Sequence, residues 1–218
     1  MPGGRPRAFD PETALDRALE VFWRQGHEGT SLSDLTAAMD INRPSLYAAF
    51  GNKEQLFRKV IDRYFTSPGA YAAEALEAPT VREVVELLVL GAVELTTGPH
   101  APRGCLSVNS VHACGPESEP IRQEVIARRM AGEAALRRRF EQAADLPAGA
   151  DPQVLAHLVH TVTDGIAVQA ASGHTRGQLR RVADLALRTL FGPEPTGAAP
   201  ATPLPSAGVA ESPAVTPP

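Results

Sequence analysis

The sequence predicts an all-α protein of about nine helices, a small N-terminal unit followed by a larger helical domain. Three observations predict it. Almost every boundary signal in residues 1–192 is a helix cap or a helix stop. Apolar residues recur at three- and four-residue spacing, and strand alternation appears nowhere convincingly. Nine of the eleven aromatic residues fall within residues 1–71, leaving only Phe140 and Phe191 beyond. A three-helix unit needs large side chains to fill a core, whereas a larger domain fills with Leu, Val, Ile and Ala, so this asymmetry marks two units with different cores.

Each element has its own signal. Asp10-Pro11 supplies an N-cap and a first-turn proline ahead of apolar residues at 14, 15, 18, 19 and 22, and Gly26 ends that helix. Ser31 caps a second helix over Leu32–Met39, and Asn42 caps a third that runs to Phe50. Asn52 with Gln55 forms a capping box for a fourth, to about Thr66. Thr80 with Glu83 repeats that pattern before the apolar run 81–95, and a Pro/Gly-rich turn and a short segment over 105–114 follow. Pro120 opens a long Arg/Glu-rich helix to about Ala144, Asp151-Pro152 another to about Ala171, and Thr175 with Gln178 a last one ending at Gly192. Eight of the 20 prolines lie in residues 193–218, where only Glu194 and Glu211 carry charge, so this Pro/Ala-rich tail reads as disordered. The predicted organisation is a flexible basic arm over 1–9, a three-helix domain over 10–52, the larger domain over 53–192, and the tail.

The formal charge of −4, from 21 Lys+Arg and 25 Asp+Glu, gives no hint of a polyanionic partner. No run approaches the roughly 18 apolar residues of a membrane span, and residues 1–7 lack the apolar core of a signal peptide. Cys105 and Cys114 are too few for a disulfide scaffold. A cytoplasmic, nucleoid-associated protein is expected, with no membrane partner, cofactor or metal.

Residues 30–57 carry the function. They read as two helices of about eight residues joined by a tight turn at 39–42, the shape of a helix-turn-helix whose second helix enters a DNA major groove. Leu32, Leu35, Ala38, Ile41, Leu46 and Phe50 can face inward, which leaves Arg43, Pro44, Ser45, Tyr47, Ala48 and Ala49 outward. Arg43 can fork onto a guanine edge, Ser45 can bond base or phosphate, and Ala48 and Ala49 let the helix sit deep with methyls against thymine. Tyr47, Lys53 and the backbone N–H groups near Thr30 and Ser31 are placed for phosphates. Arg5 and Arg7 on the arm can reach a minor groove. The same shape also occurs as a plain packing unit.

The stretch 26–57, with Gly29-Thr-Ser-Leu-Ser-Asp-Leu and Ser45-Leu-Tyr-Ala-Ala-Phe-Gly-Asn-Lys-Glu-Gln-Leu, closely resembles the DNA-binding domain of the tetracycline-repressor (TetR/AcrR) family of bacterial transcription regulators. The resemblance covers about residues 8–60. It implies an all-α homodimer, most simply a repressor, in which Tyr47 and Lys53 contact phosphates and residues 43–48 read the groove of a double-stranded operator. The larger domain would then dimerise and bind an unidentified small-molecule inducer. Asp40 departs from the family, which usually has Gly in the turn; Asp tolerates a left-handed backbone better than most residues.

With only Phe140 and Phe191, the larger domain has little to stack on flat drugs, which favours a small, aliphatic or reactive effector. Residues 103–114, Arg-Gly-Cys-Leu-Ser-Val-Asn-Ser-Val-His-Ala-Cys, resemble a Gly-Cys-Leu segment of a family subset, some members of which sense electrophiles or oxidants through a cysteine. Cys105, Asn109, His112 and Asp164 are the candidate sensing residues. Arg103 and a helix N-terminus beside Cys105 would lower its thiol pKa. A helix would hold Cys114 about 13 Å along the axis and on the opposite side, so no disulfide forms, and His112 about 10 Å away, too far to be a base. A small buried core thiol is the alternative for Cys105. His157, His160 and Asp164 share one helix face opposite Leu155, Leu158, Val159, Val162 and Ile166, a polar face rather than a metal site. Arg128, Arg129 and Arg137 to Arg139 read as a solvated basic face. The rival functions are a thiol-dependent enzyme around Cys105 and a dimerisation module that does not bind DNA.

Overall fold

The computed structural model describes residues 9–99, 102–111 and 118–193; the arm with Arg5 and Arg7, the pair His112 and Cys114, and the tail from 194 lie outside them. Asp10 accepts from the backbone N–H groups of Glu12 and Thr13 and starts α1 (Pro11–Gly29). Gly26 breaks the helix as expected: with a φ of 72° and a ψ of 172° it is non-helical and kinks the chain, and one further turn follows before Thr30. Ser31 and Asp34 cap each other's backbone to start α2 (Leu32–Met39), Asn42 caps α3 (Arg43–Phe50), and Asn52 with Gln55 caps α4 (Lys53–Thr66).

α5 (Tyr71–Glu74), continued by a 3-10 turn over Ala75–Glu77, carries no side-chain cap and announces itself by no apolar period. It brings the helices among the described residues to ten rather than about nine. Reciprocal caps at Thr80/Glu83 start α6 (Val81–Thr97); α7 (Leu106–Val111) and α8 (Glu119–Glu141) follow. Asp151 caps α9 (Pro152–Ala171), and Thr175 with Gln178 caps α10 (Arg176–Phe191). No strand occurs among the described residues, and none of their helices is long and apolar enough to cross a membrane.

Two cores form. The first gathers the aromatics Phe22, Trp23, Phe50, Phe57 and Tyr64 with Leu35, Met39 and Leu46, and is closed by Leu106 of α7 and by Ile121 and Val125 of α8. The second packs Val84, Val85, Leu88 and Val89 of α6 against Leu155, Val159 and Ile166 of α9, with Leu136, Phe140, Leu179 and Ala183 around them. Along α9 the buried row is Leu155, Ala156, Val159, Ile166, Ala167 and Ala170; Leu158 lies 39% exposed instead of joining it. The helix is therefore rotated from the expected register, which turns Asp164 and His160 toward α8. Val154, Leu158 and Val168 of α9 and Val182 and Leu185 of α10 stand exposed.

The α8 arginines divide: Arg138 is exposed and Arg137 pairs with Glu141 on its own helix, as a solvated face would have them, whereas Arg128, Arg129 and Arg139 reach neighbouring elements. Arg128 pairs with Asp62 of α4, Arg129 with Asp164 of α9, and Arg139 donates to the carbonyls of Leu76 and Ala78 at 3.1 and 2.7 Å. Arg58 of α4 also meets Glu124 of α8 at 2.8 Å. Arg58, Arg128, Arg129 and Arg139 thus each land on a charge or a carbonyl that a neighbouring element presents.

The Tyr71 ring of α5 packs against Gly91 of α6, where an added Cβ would fall 2.3 Å from it. Alanine there gains about 1 kcal/mol of helix propensity, less than overpacking against a rigid ring, roughly 1–3 kcal/mol. Gly91→Ala should therefore lower the urea midpoint at unchanged slope, and adding Tyr71→Leu should recover part of the loss.

Candidate nucleic-acid interface

The α2–α3 turn is built on Asp40, which takes φ 54° and ψ 44°, the left-handed conformation that glycine usually supplies. The N–H groups of Asp40 and Ile41 close on the carbonyls of Ala37 and Thr36 at 3.4 and 3.2 Å, so the turn survives without glycine. Leu35, Met39, Leu46 and Phe50 are buried beneath it. On the outer side of α3, Arg43, Pro44, Tyr47, Ala48 and Ala49 are exposed, and Ser45 is half-buried with its N–H on the Asn42 side chain at 2.8 Å. Tyr47, at 49% exposure, is the one large hydrophobic side chain that the core does not claim on this helix.

The flanking residues are held more tightly than the sequence suggests. Arg43 Nη2 donates to Ser33 Oγ at 3.0 Å, which parks its guanidinium over the first turn of α2. The Thr30 side chain is buried, its hydroxyl on the Gly26 carbonyl at 2.7 Å. The Ser31 N–H donates to the Asp34 carboxylate at 2.9 Å, and a phosphate oxygen would have to displace it. Lys53 opens α4 half-buried; burial pulls its ammonium below the usual lysine pKa, and Glu28 opposes that shift. Phe9 packs on Phe50 at 6.2 Å between ring centres, so the chain enters α1 from beside the end of α3.

In the larger domain, Cys105 is half-buried ahead of α7. Its Sγ lies 3.0 Å from Tyr64 Oη and 3.1 Å from Ser107 Oγ. Ser107 Oγ accepts from Arg129 Nη1 at 3.3 Å, and Arg129 also pairs with Asp164. A polar chain thus runs from α4 through α7 and α8 to α9. Ser107 Oγ accepts from the guanidinium and still has a proton to give and a lone pair to offer, so either it or the thiol can donate in the contact between them. Burial raises the phenol pKa of Tyr64 and of Tyr71 well above the ordinary range, and the neighbouring Cys105 adds to both shifts.

Arg103 is not the cation beside the thiol: its guanidinium donates to the His174 carbonyl at 3.1 Å. Asn109 is exposed, with its amide nitrogen beside Gly104. Burial draws the His160 imidazole below its usual pKa, with Asp164 and Glu133 opposing; His157 faces outward and meets Glu133 at 3.3 Å. Among the described residues no three metal-binding side chains come together.

Residues 14–60 match the pattern of bacterial regulatory proteins of the tetR family. The transcriptional repressor ComR of Escherichia coli K12 is 32% identical over 190 residues, covering 85% of this chain and 90% of its own. The repressor BdcR of the same strain is 31% identical over 84% of this chain and 90% of its own. The chain belongs to the TetR family. The regulator CifR, solved as a triple cysteine mutant complexed with 26 base pairs of double-strand operator DNA, superposes with a TM-score of 0.80. It is 43% identical and covers 86% of this chain and 100% of its own.

Several residues of this TetR-family chain that join its two units carry no local sequence signal. The Trp23 indole N–H donates to the Gly104 carbonyl at 2.9 Å, and His27 Nδ1 lies 3.2 Å from Ser118 Oγ, each across more than 80 residues. His27 is buried between Phe22 and Phe57, with Nε2 unpartnered. Burial lowers its pKa, Lys53 adds to that, and Glu54 and Glu28 oppose it. A depressed histidine stabilises the fold above its unfolded pKa, near 6.5, and that contribution fades as pH falls toward the folded value. Urea unfolding between pH 7.5 and 5.5 should show stability falling, with a shallower fall in His27→Gln.

Proposed function

We propose that this regulator is a homodimeric repressor that binds a palindromic operator through α3 and releases it when a small or reactive effector engages the larger domain. The observation that carries the reading is the outer face of α3, where Tyr47 stands exposed beside the low methyls of Ala48 and Ala49, behind an arginine at the helix start. That is the relief a major groove admits: small residues for close approach, and long polar ones at the edge. Operator complexes of CifR, 43% and 44% identical to this chain, support it.

In this reading Arg43 leaves Ser33 and turns to a base edge, and Pro44, Ser45 and Ala48 line the groove. Tyr47 and Lys53 hold phosphates, the helix start at Thr30 and Ser31 adds backbone N–H donors, and Arg5 and Arg7 follow the minor groove from the arm beyond Phe9. The exposed apolar rows of α9 and α10 are the faces a second copy would cover, setting two copies of α3 about 34–36 Å apart or somewhat more. Cys105, with Asp164 at the far end of its polar chain and Asn109 and His112 on the same segment, is the sensing region.

Two measurements test this. In fluorescence anisotropy with duplex from the DNA beside its own gene, Arg43→Ala should weaken binding by roughly 1–3 kcal/mol and relax sequence preference. Lys53→Ala should weaken all duplexes alike and lower the salt slope by about 1. An Arg43→Ala protein that binds and discriminates as before would remove α3 from the reading. In sedimentation, Leu185→Asp should convert the dimer to monomer, since a carboxylate in an apolar interface stays uncompensated.

A further inference from the structure

We propose that Trp23 is the positioning residue through which the larger domain sets the angle of α1 and, with it, of the helix-turn-helix; this rests on the operator-binding reading above. The peptide of Gly104 is held on three sides. Its N–H donates to the Thr96 carbonyl at the end of α6, at 3.3 Å. Its Cα lies so close to the end of α9 that an added Cβ would sit 3.2 Å from Ala171 Cβ. Its carbonyl accepts the buried Trp23 indole N–H at 2.9 Å. A movement of α6 or α9 that carries Gly104 therefore reaches α1 through one residue and one hydrogen bond.

The contact is closed into a ring. Trp23 meets the Tyr64 ring edge-on at 5.0 Å, and Tyr64 Oη touches Sγ of Cys105, the next residue after Gly104. Both α1 and α4 are thus tied to adjacent residues of the segment that enters α7. α1 packs on α2, and α3 packs on α2 and α4, so the recognition helix follows these two ties. Packed elements of this kind shift between discrete arrangements rather than deforming smoothly, and an effector acts by preferring one of them. Phenylalanine would fill much of the same space; only tryptophan also supplies an N–H to the Gly104 carbonyl.

Trp23 is the only tryptophan of the chain, so its emission reports the surroundings of this joint with no signal from a second indole. In a titration of the full-length dimer with labelled operator duplex, DNA anisotropy and tryptophan emission are recorded together. The proposal expects the emission maximum and acrylamide quenching to change in step with occupancy, because the joint takes a different arrangement on DNA. Anisotropy that saturates while the emission stays constant would overturn the proposal and leave operator binding standing; no rise in anisotropy would remove both.

A second arm uses Trp23→Phe on duplexes with one base pair added at the palindrome centre, which turns the half-sites apart by about a tenth of a helical turn. The wild type should lose about tenfold or more in affinity, a cost of about 1.4 kcal/mol or more. The variant, freed from the tie, should lose less than about threefold. Equal losses in the two proteins would overturn the proposal, since a tryptophan that only fills space leaves half-site spacing unaffected.

Discussion

Helices of eight residues do not persist in water on their own backbone bonds, because the cost of nucleation outweighs so few of them. α2 and α3 are both of that length, so the outer face of α3 exists only because its inner face is anchored. Leu46 and Phe50 of α3 sink into a core in which Phe22 of α1 meets Phe57 of α4 edge-on at 4.9 Å and Trp23 meets Tyr64 at 5.0 Å. Edge-on pairs of this kind add about 0.5–1.5 kcal/mol each beyond the area they bury. Side-chain caps at Ser31, Asn42 and Asn52 satisfy the helix starts, and Asp40 lets the chain turn between α2 and α3. The aromatic excess of the N-terminal third is thus the material from which a reading surface is held out to solvent.

Charge works locally. Residues 1–64 contain nine basic and nine acidic residues, so the reading half is neutral in sum. Its acids are largely answered inside the fold. Glu12 and Asp16 lie on Arg63, Glu20 on Arg24, and Asp62 on Arg128. Among the described residues Arg43 is held by the neutral Ser33. Few cations available to phosphates mean a shallow dependence on salt and modest affinity for arbitrary DNA, so in the proposed reading discrimination comes from α3 and from the pairing of two copies.

What the sequence made legible was local. Caps lie within three residues of the groups they satisfy, and the helix-turn-helix is a pattern of neighbours, so both could be read without any tertiary knowledge. α5 was illegible because four residues held by packing alone carry neither cap nor period. On α9 the apolar pattern set Leu158 inward and Asp164 on the opposite face, whereas the fold turned Leu158 out and Asp164 toward Arg129. The cation in the thiol region comes from Arg129 through Ser107, while the sequence neighbour Arg103 is drawn off to His174. Trp23 and Gly104 are 81 residues apart, and nothing in either stretch announces the other.

The central claim is that two copies of α3, held at a fixed separation, read double-stranded DNA. Selection of bound duplexes from a random pool by the full-length protein tests it most directly. The account predicts enrichment of a two-fold symmetric sequence whose half-sites lie about one helical turn or somewhat more apart. Enrichment of an asymmetric or unspaced sequence, or no enrichment at all, would contradict it.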